Sequence, residues 1–206
     1  MRTESLCEKY RPSKITGFVG LMKPRLFLQK LAASPRGVAL LFEGDTGSGK
    51  TAMALAFASE IPAQVHRLPA SECTRDNVAG LWMICQSKPR ADYRMHLVLV
   101  DHADLLRESQ QMDLRSKIDS PELLDDVVWV FTAIPATTLD PGFRSRCVQL
   151  KFSTYGNSKA AAEFLEGVWR TEAPSSPAPN FARIIKEANG DIRAALGEIE
   201  LKLMTV

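Results

Sequence analysis

The chain has 206 residues, of which 45% are hydrophobic and 24% are charged, and its formal net charge is +2. This length is enough for one domain of ordinary size plus a small one, with a sizeable buried core. The nearly balanced charge excludes a large, uniformly basic face of the kind that coats DNA, so any contact with nucleic acid has to be local.

The cysteines and the N-terminus indicate where such a chain resides. None of the four cysteines forms a C-x-x-C pair, and their spacing gives no disulfide framework, so we expect no zinc site and an intracellular location. The N-terminal sequence MRTESLCEKYRP lacks the apolar core of a signal peptide. No apolar run approaches the length that spans a bilayer, so no membrane association is expected.

The first three quarters of the chain alternate apolar, β-rich runs with helical patterns. Continuous apolar runs predict buried strands of a parallel sheet covered on both faces, at Val38–Glu43, His96–Val100 and Val127–Thr132. Weaker or alternating patterns predict two further strands, at Gln64–Leu68 and Cys147–Phe152. Helical spacing predicts helices at Lys50–Ile61, Thr74–Gln86 and Ser109–Ile118. This alternation favours a three-layer α/β domain over residues 1–152.

The pattern changes after Phe152. Three helical segments follow, separated by a proline-broken loop at Ala173–Pro179 and by Gly190. Asp191 is suited to cap the last segment, because a short carboxylate side chain accepts hydrogen bonds from the first free N–H groups of a helix. We therefore predict a small all-helical domain over residues 153–206.

The most informative motif is GDTGSGKT, which follows a predicted strand and opens a predicted helix. It fits the phosphate-loop pattern G-x-x-x-x-G-K-[ST]. Its glycines let the backbone wrap closely around phosphate oxygens, and the helix N-terminus adds partial positive charge. Lys50 is expected to reach the β- and γ-phosphates of ATP, and Thr51 to hold Mg²⁺. The motif predicts the nucleotide-binding residues Asp45, Thr46, Gly47, Ser48, Gly49, Lys50 and Thr51.

A second metal ligand is expected from a neighbouring strand, because phosphate-loop NTPases hold Mg²⁺ with an aspartate as well as a hydroxyl group. Asp101 directly follows the apolar run His96–Val100. An isolated aspartate after a strand is usually a turn residue. In a chain with a complete phosphate loop, we interpret Asp101 as a ligand of Mg²⁺.

Further motifs resemble those of clamp-loader ATPase subunits, which are AAA+ proteins that open the sliding clamp of a replicative polymerase. The matching stretches keep the order of that family from Glu8 to Leu196: EKYRP with a following VG, LPASE, DHADLL, SQQMDLRSKID, FRSRC and GDIRAAL. The phosphate loop alone is shared by many NTPases, whereas the combination of KYRP, SRC and GDIR is more specific. The resemblance implies a P-loop AAA+ three-layer domain with a parallel sheet, followed by a helical lid domain.

The resemblance also implies roles for residues outside the phosphate loop. Those expected to border the adenine are Tyr10, Arg11, Pro12, Val19 and Gly20. Arg193 would be the second sensor, reaching the γ-phosphate from the helical domain. Arg146 would be an arginine finger that acts in the site of a neighbouring AAA+ subunit, which implies an oligomer. Arg115 would face a central channel and contact a DNA phosphate, although a solvated surface role is an equal alternative.

The sequence departs from the family at several positions. His102 stands where the catalytic glutamate is expected; as imidazolium it cannot be a base, whereas neutral imidazole could accept a proton. Asp104 on the same segment is an alternative carboxylate. Ala133 stands in place of the first-sensor asparagine, and Ala79 and Gly80 stand near the place of basic residues that face DNA. The chain also ends where the C-terminal collar domain of the family would begin.

These features predict an ATP-binding AAA+ protein that resembles a sliding-clamp loader subunit and hydrolyses ATP weakly or not at all. It would act in an oligomer with other AAA+ subunits, a sliding clamp and primer–template DNA, with ATP and Mg²⁺ as cofactors. The expected catalytic residues are His102, Arg146 and Arg193. Two alternatives stay open: a nucleotide-binding scaffold without an ATPase cycle, and another small AAA+ loader, for example of a helicase.

Overall fold

The computed structural model describes residues 4–120, 125–134, 138–153 and 157–205. The strands in these ranges are β1 (Val38–Gly44), β2 (Ala63–Arg67), β3 (Met95–Val100), β4 (Val127–Ala133) and β5 (Val148–Phe152). They form one parallel sheet in the order β2-β3-β4-β1-β5. All five expected strands are confirmed, to within one residue at each end.

Helices alternate with these strands and then continue alone. They are α1 (Leu6–Lys9), α2 (Met22–Ala33), α3 (Lys50–Glu60), α4 (Arg75–Cys85), α5 (Glu108–Ile118), α6 (Pro141–Arg144), α7 (Ser158–Glu172), α8 (Phe181–Glu187) and α9 (Ile192–Leu203). The predicted cap of α9 is confirmed, because the Asp191 carboxylate accepts a hydrogen bond from the N–H of Ala194 at 3.0 Å. Among the described helices, none has the length and apolar character needed to cross a bilayer.

The core lies on both faces of the sheet, as the continuous apolar runs predicted. Alternate residues of β3 and β4 belong to two hydrophobic clusters, because successive side chains of a strand point to opposite faces. One cluster lies beside α4 and α5 and includes Val98, Val100, Trp129 and Phe131. The other lies beside α2 and α3 and includes Leu97, Leu99, Val128 and Val130.

The C-terminal helices α7, α8 and α9, called the lid helices below, form a third hydrophobic cluster. Its buried side chains include Leu165, Trp169, Ile185, Leu196 and Ile199. Leu6 of α1 joins this cluster, so the N-terminal segment packs against the lid helices. The sequence indicated no such contact. The division into domains 1–152 and 153–206 stays a prediction.

Candidate nucleotide-binding site

The phosphate loop connects β1 to α3 at the carboxyl end of the sheet. Gly47 (φ 71°) and Gly49 (φ 91°) adopt left-handed conformations that glycine tolerates without steric cost. A Cβ atom at Gly47 would lie 2.0 Å from Oδ1 of Asp191, the residue that caps α9. The start of a lid helix therefore packs directly on the loop, and a side chain at Gly47 would force the two apart.

The side chain of Lys50 folds back over the loop. Its Nζ donates hydrogen bonds to the carbonyl oxygens of Gly44 at 2.7 Å and Asp45 at 2.8 Å. Burial lowers the pKa of Lys50, and the carboxylates of Asp45 and Asp104 oppose that shift. Arg193 is close enough to lower the pKa of Lys50 further by charge repulsion. Two cationic side chains thus converge on the loop, as the phosphates of a nucleotide require.

The two predicted metal ligands lie in direct contact. Oδ1 of Asp101 accepts hydrogen bonds from Oγ1 of Thr51 at 2.7 Å and from Oγ1 of Thr132 at 2.9 Å. Hydroxyl and carboxylate oxygens suit Mg²⁺, which typically takes one or two protein ligands together with phosphate and water oxygens. Thr51 and Asp101 therefore fit the cation that accompanies ATP.

A cleft of about 220 Å³ separates the phosphate loop from the N-terminal segment and the lid helices. Most of the predicted nucleotide-binding residues line it: Tyr10, Arg11, Pro12, Val19, Gly47, Ser48, Gly49, Thr51 and Arg193. Phe18, Leu55 and Phe164 add apolar surface of the kind that accepts a planar base.

Four of the predicted residues lie outside the lining of this cleft: Gly20, Asp45, Thr46 and Lys50. Asp45 and Lys50 belong to the loop itself, and their charges act on one another. The place of Gly20 has a packing reason, since a Cβ atom there would lie 2.3 Å from the side chain of Asn157, just before α7. Close packing therefore requires glycine at position 20, and its contact with adenine stays a prediction.

The N-terminal wall of the cleft is tied to the lid helix α7. The hydroxyl of Tyr10 donates a hydrogen bond to the carboxylate of Glu172, and its ring meets Phe164 edge-on with centroids 6.4 Å apart. Partial burial and this hydrogen bond raise the pKa of Tyr10. Lys9 forms an ion pair with the same carboxylate at 2.8 Å. The base-facing wall is thus built from both ends of the chain.

Two other predicted arginines lie on a different surface. Nε of Arg146 donates to both carboxylate oxygens of Asp119 at 2.6 Å, and its Nη1 donates to the carbonyl oxygen of Gly142 at 2.6 Å. Nη1 of Arg115 lies 3.5 Å from Oδ2 of Asp140. Within the described part of the chain, neither arginine lines the cleft. The positive charges of Arg115 and Arg146 therefore lie on a surface away from the phosphate loop of the same chain.

The sequence from residue 40 to residue 154 matches the ATPase family associated with various cellular activities (AAA). The match covers more than half of the 206 residues. The chain belongs to the AAA family. The expected fold class, a three-layer P-loop domain with a parallel sheet followed by helices, is confirmed.

This AAA chain is similar to replication factor C subunits. Replication factor C subunit 2 of Arabidopsis thaliana is 26% identical, and the match covers 96% of this chain and 61% of the relative. The replication factor C small subunit of Halobacterium salinarum is 23% identical, with 97% and 63% covered. The chain thus spans about six tenths of the length of the curated relatives it matches. The resemblance to clamp-loader subunits that the motifs indicated is confirmed.

Solved structures of the RuvB protein share the fold. The RuvB Holliday junction branch migration motor of Thermotoga maritima superposes with a TM-score of 0.75 at 20% identity, covering 95% of this chain and 72% of that chain. A point mutant of RuvB from the same organism gives a TM-score of 0.76 at 17% identity, covering 96% and 73%. At these identities the similarity shows the fold alone.

The residue after Asp101 in this AAA protein presents an exposed imidazole. His102 adopts a left-handed conformation (φ 58°), and its backbone N–H donates to Oγ1 of Thr132 at 3.2 Å. Ala133, the position assigned to the first sensor, is buried in the hydrophobic cluster beside α4 and α5. Because side chains alternate along β4, Thr132 is the residue that faces Asp101. A hydroxyl group of β4 therefore contacts the predicted metal ligand Asp101.

A second carboxylate lies close to the loop. Asp104 is half-buried, and its Oδ1 accepts a hydrogen bond from the backbone N–H of Ile134 at 3.1 Å. Its charge raises the pKa of Lys50, so it acts on the phosphate-binding side of the site. The alternative role suggested for Asp104 stays a prediction.

One charged residue of the cleft was missed by the sequence analysis. Arg67 is the last residue of β2 and lines the cleft from the edge of the sheet. Its position offered a signal, because ligands of parallel α/β sheets bind at the carboxyl ends of strands. Arg67 adds a positive charge to the cleft beyond those of Arg11 and Arg193.

Proposed function

We propose that this chain is an ATP-binding subunit of a clamp-loader-type AAA+ assembly that acts on DNA within the cell and hydrolyses ATP slowly. The observation that carries this proposal is the phosphate loop with its adjoining cleft, where Lys50 of α3 and Arg193 of α9 bring two positive charges together. Mg²⁺–ATP bound there contacts both the proposed 1–152 domain and the proposed 153–206 lid. Its γ-phosphate therefore couples the positions of the two.

The nucleotide site is tested by Lys50→Ala. On ATP binding, the Lys50 ammonium group leaves the carbonyls of Gly44 and Asp45 and meets the β- and γ-phosphates. Its loss should weaken binding of a fluorescent ATP analogue by about tenfold or more, which corresponds to a charge-assisted hydrogen bond of about 1.5–3 kcal/mol. Lys30→Ala, an exposed lysine on α2, is the matched control. Equal affinities of the two variants would refute the assignment.

We propose that Arg146 completes the site of a neighbouring subunit. Support comes from its place outside the cleft of its own chain and from its pairing with Asp119, which fixes one edge of the guanidinium group. Arg146→Ala should leave ATP binding by the monomer intact and weaken assembly induced by an ATP analogue, measured by light scattering. Arg170→Ala removes a similar exposed ion pair with Glu166 and serves as the control. Loss of ATP affinity in the Arg146→Ala monomer would assign Arg146 to its own site.

Slow hydrolysis is proposed because an exposed imidazole follows Asp101. A carboxylate can polarise the attacking water beside Mg²⁺, whereas an imidazolium group there is repelled by the metal. The same observation favours a second candidate function, a nucleotide-binding scaffold without a cycle. Steady-state phosphate release under assembly conditions separates the two: slow but measurable turnover supports the loader, and tight binding with no release supports the scaffold.

Other AAA+ subunits, a sliding clamp and primer–template DNA are the proposed partners. The similarity to replication factor C subunits supports this set. We assign Arg115 to a DNA phosphate, since its contact with Asp140 at 3.5 Å is loose and easily exchanged. Retention on an immobilised sliding clamp with an ATP analogue present would support the loader. A nucleotide-dependent ring that ignores the clamp would instead favour a loader of another target, such as a helicase.

A further inference from the structure

A cluster of metal-ligating side chains lies apart from the nucleotide cleft. It consists of His66 on β2, Cys85 at the end of α4 and His96 on β3, and is called the His–Cys cluster below. One nitrogen of each imidazole and the Cys85 sulfur all lie within 4.8 Å of one another. His66 and His96 are diagonal neighbours on one face of the sheet, because Gln64 pairs with His96 and His66 with Val98. The tertiary structure thus brings together three potential ligands from three elements.

The two imidazoles are oriented by hydrogen bonds. Nε2 of His96 lies 2.9 Å from the carbonyl oxygen of Ser87, an acceptor, so Nε2 carries the proton and Nδ1 carries a lone pair. That Nδ1 lies 2.9 Å from Nε2 of His66. A backbone carbonyl on the outer nitrogen is the arrangement that fixes the tautomer of metal-bound histidines. The ring of His96 is therefore already held with its free lone pair toward His66 and Cys85.

Cys85 differs from the other buried cysteines of the chain. The thiol of Cys73 donates to the carbonyl oxygen of Leu68 at 3.8 Å, and that of Cys147 to the carbonyl oxygen of Phe143 at 3.6 Å. Within the described residues, Cys85 has no comparable acceptor, and it points toward two imidazoles. Burial raises the pKa of Cys85 to about 11 and lowers that of His66. The position of its sulfur thus distinguishes Cys85 as the cysteine that can join two imidazoles at one ion.

We propose that His66, Cys85 and His96 bind one Zn²⁺ ion, with the fourth position taken by water. Two imidazoles and a thiolate form a borderline-soft donor set that suits Zn²⁺ and does not suit Mg²⁺ or Ca²⁺. A water molecule can reach the fourth position because His66 is half-buried on β2, the edge strand of the sheet. The expectation that the chain has no zinc site was based on cysteine spacing alone. Cysteine spacing cannot reveal a site that is formed by one cysteine and two histidines.

The binding step balances without any co-reactant. One Zn–S bond and two Zn–N bonds form, the hydrated Zn²⁺ ion releases all but one of its water ligands, and the Cys85 thiol releases one proton to solvent. His66 exchanges tautomers, so that its proton moves from Nε2 to Nδ1 and the lone pair of Nε2 faces the metal. Tetrahedral coordination with Zn–N bonds of about 2.0–2.1 Å places two nitrogens roughly 3.3 Å apart. The two nitrogens that face each other, now 2.9 Å apart, therefore need to separate only slightly.

Such an ion would fasten the edge strand to the sheet. β2 lies at one end of the strand order and pairs with β3 alone. The ion would link β2 and β3 to the end of α4. It lies away from the phosphate loop, because His96 is the second residue of β3 whereas Asp101 follows its last residue. His66, Cys85 and His96 do not line the nucleotide cleft, so a failure of zinc binding would leave the proposed function untouched.

The test uses the full chain, treated with EDTA, dialysed, and kept free of nucleotide. Titration with Zn²⁺ by calorimetry in two buffers of different ionisation enthalpy should give one equivalent bound and one proton released. Titration with Co²⁺ should give a thiolate-to-cobalt charge-transfer band. Cys85→Ser and His66→Gln should each weaken Zn²⁺ binding by about 100-fold or more, since even outer-shell partners cost about 10- to 100-fold. Cys73→Ser, a buried cysteine outside the cluster, should bind as the unaltered chain does.

Two results would overturn the proposal. The first is the absence of Zn²⁺ binding, or of the charge-transfer band, in the unaltered chain, a measurement that does not depend on whether any variant folds. The second is equal Zn²⁺ affinity of Cys85→Ser and Cys73→Ser when both retain the circular dichroism of the unaltered chain. Either result would leave His66 and His96 as a hydrogen-bonded pair that only satisfies buried polar groups.

Discussion

Replacing Thr132 by valine tests whether its hydroxyl group holds the metal aspartate. Thr132 is 3% exposed; its Oγ1 donates to Asp101 at 2.9 Å and accepts from the N–H of His102 at 3.2 Å. Valine keeps the shape and the β-branch of threonine, so Thr132→Val leaves no cavity. It removes two hydrogen bonds at the point where β3 and β4 reach the phosphate loop.

The expected cost follows from these two bonds. A hydrogen bond to a charged group contributes about 1.5–3 kcal/mol, and a neutral one about 0.5–1.5 kcal/mol. Water can replace part of both, because Asp101 is only half-buried and His102 is exposed. We therefore expect Thr132→Val to lower the free energy of unfolding by about 2 kcal/mol. Without the hydroxyl group to position it, Asp101 should also bind Mg²⁺ more weakly. Adding Mg²⁺ should therefore increase the affinity for an ATP analogue by a smaller factor than in the unaltered chain.

Urea unfolding followed by circular dichroism measures the first effect, with the slope of the transition checked for constancy. Thr132→Ser keeps the hydroxyl group and should restore most of the Mg²⁺ dependence. Thr16→Val changes an exposed threonine and should stay within about 0.5 kcal/mol of the unaltered chain. If Thr132→Val is as stable as the control and its Mg²⁺ dependence is unchanged, the hydroxyl group does not position Asp101.

Three further changes test other parts of the site. His102→Glu should raise steady-state phosphate release under assembly conditions by about tenfold or more, since positioned bases contribute about 10²–10⁴-fold; an unchanged rate would assign the role to another group. Gly47→Ala, whose Cβ would meet Asp191, should abolish ATP-analogue binding, whereas Gly167→Ala, whose Cβ meets nothing within 4 Å, should not. Because burial lowers the pKa of His66 below 6.5, only the unfolded chain gains its proton as pH falls through that value. In EDTA, the free energy of unfolding should therefore decrease as the pH is lowered below about 6.5. This decrease should be smaller in His66→Gln.

Contiguous patterns predicted the parts of the molecule that neighbouring residues decide. The phosphate loop is one unbroken segment, so GDTGSGKT predicted the close backbone turn that Gly47 and Gly49 make with positive φ. Continuous apolar runs predicted the three central strands to within one residue, because burial on both faces requires an apolar side chain at every position. The cap at Asp191 also depends on residues within one helical turn. The resemblance to clamp-loader subunits rested on motifs of the same local kind.

Contacts between distant segments were decided by the tertiary structure. Because side chains alternate along β4, Thr132 faces Asp101 and Ala133 packs into the hydrophobic cluster on the other side. When every residue of a strand is apolar or small, the sequence does not show which residues face which side of the sheet. Strand order places His66 beside His96, and helix packing adds Cys85, although no spacing along the chain relates the three. These pairings depend on which strands are neighbours and which helix covers them, and the periodicity of a single segment carries no information about either.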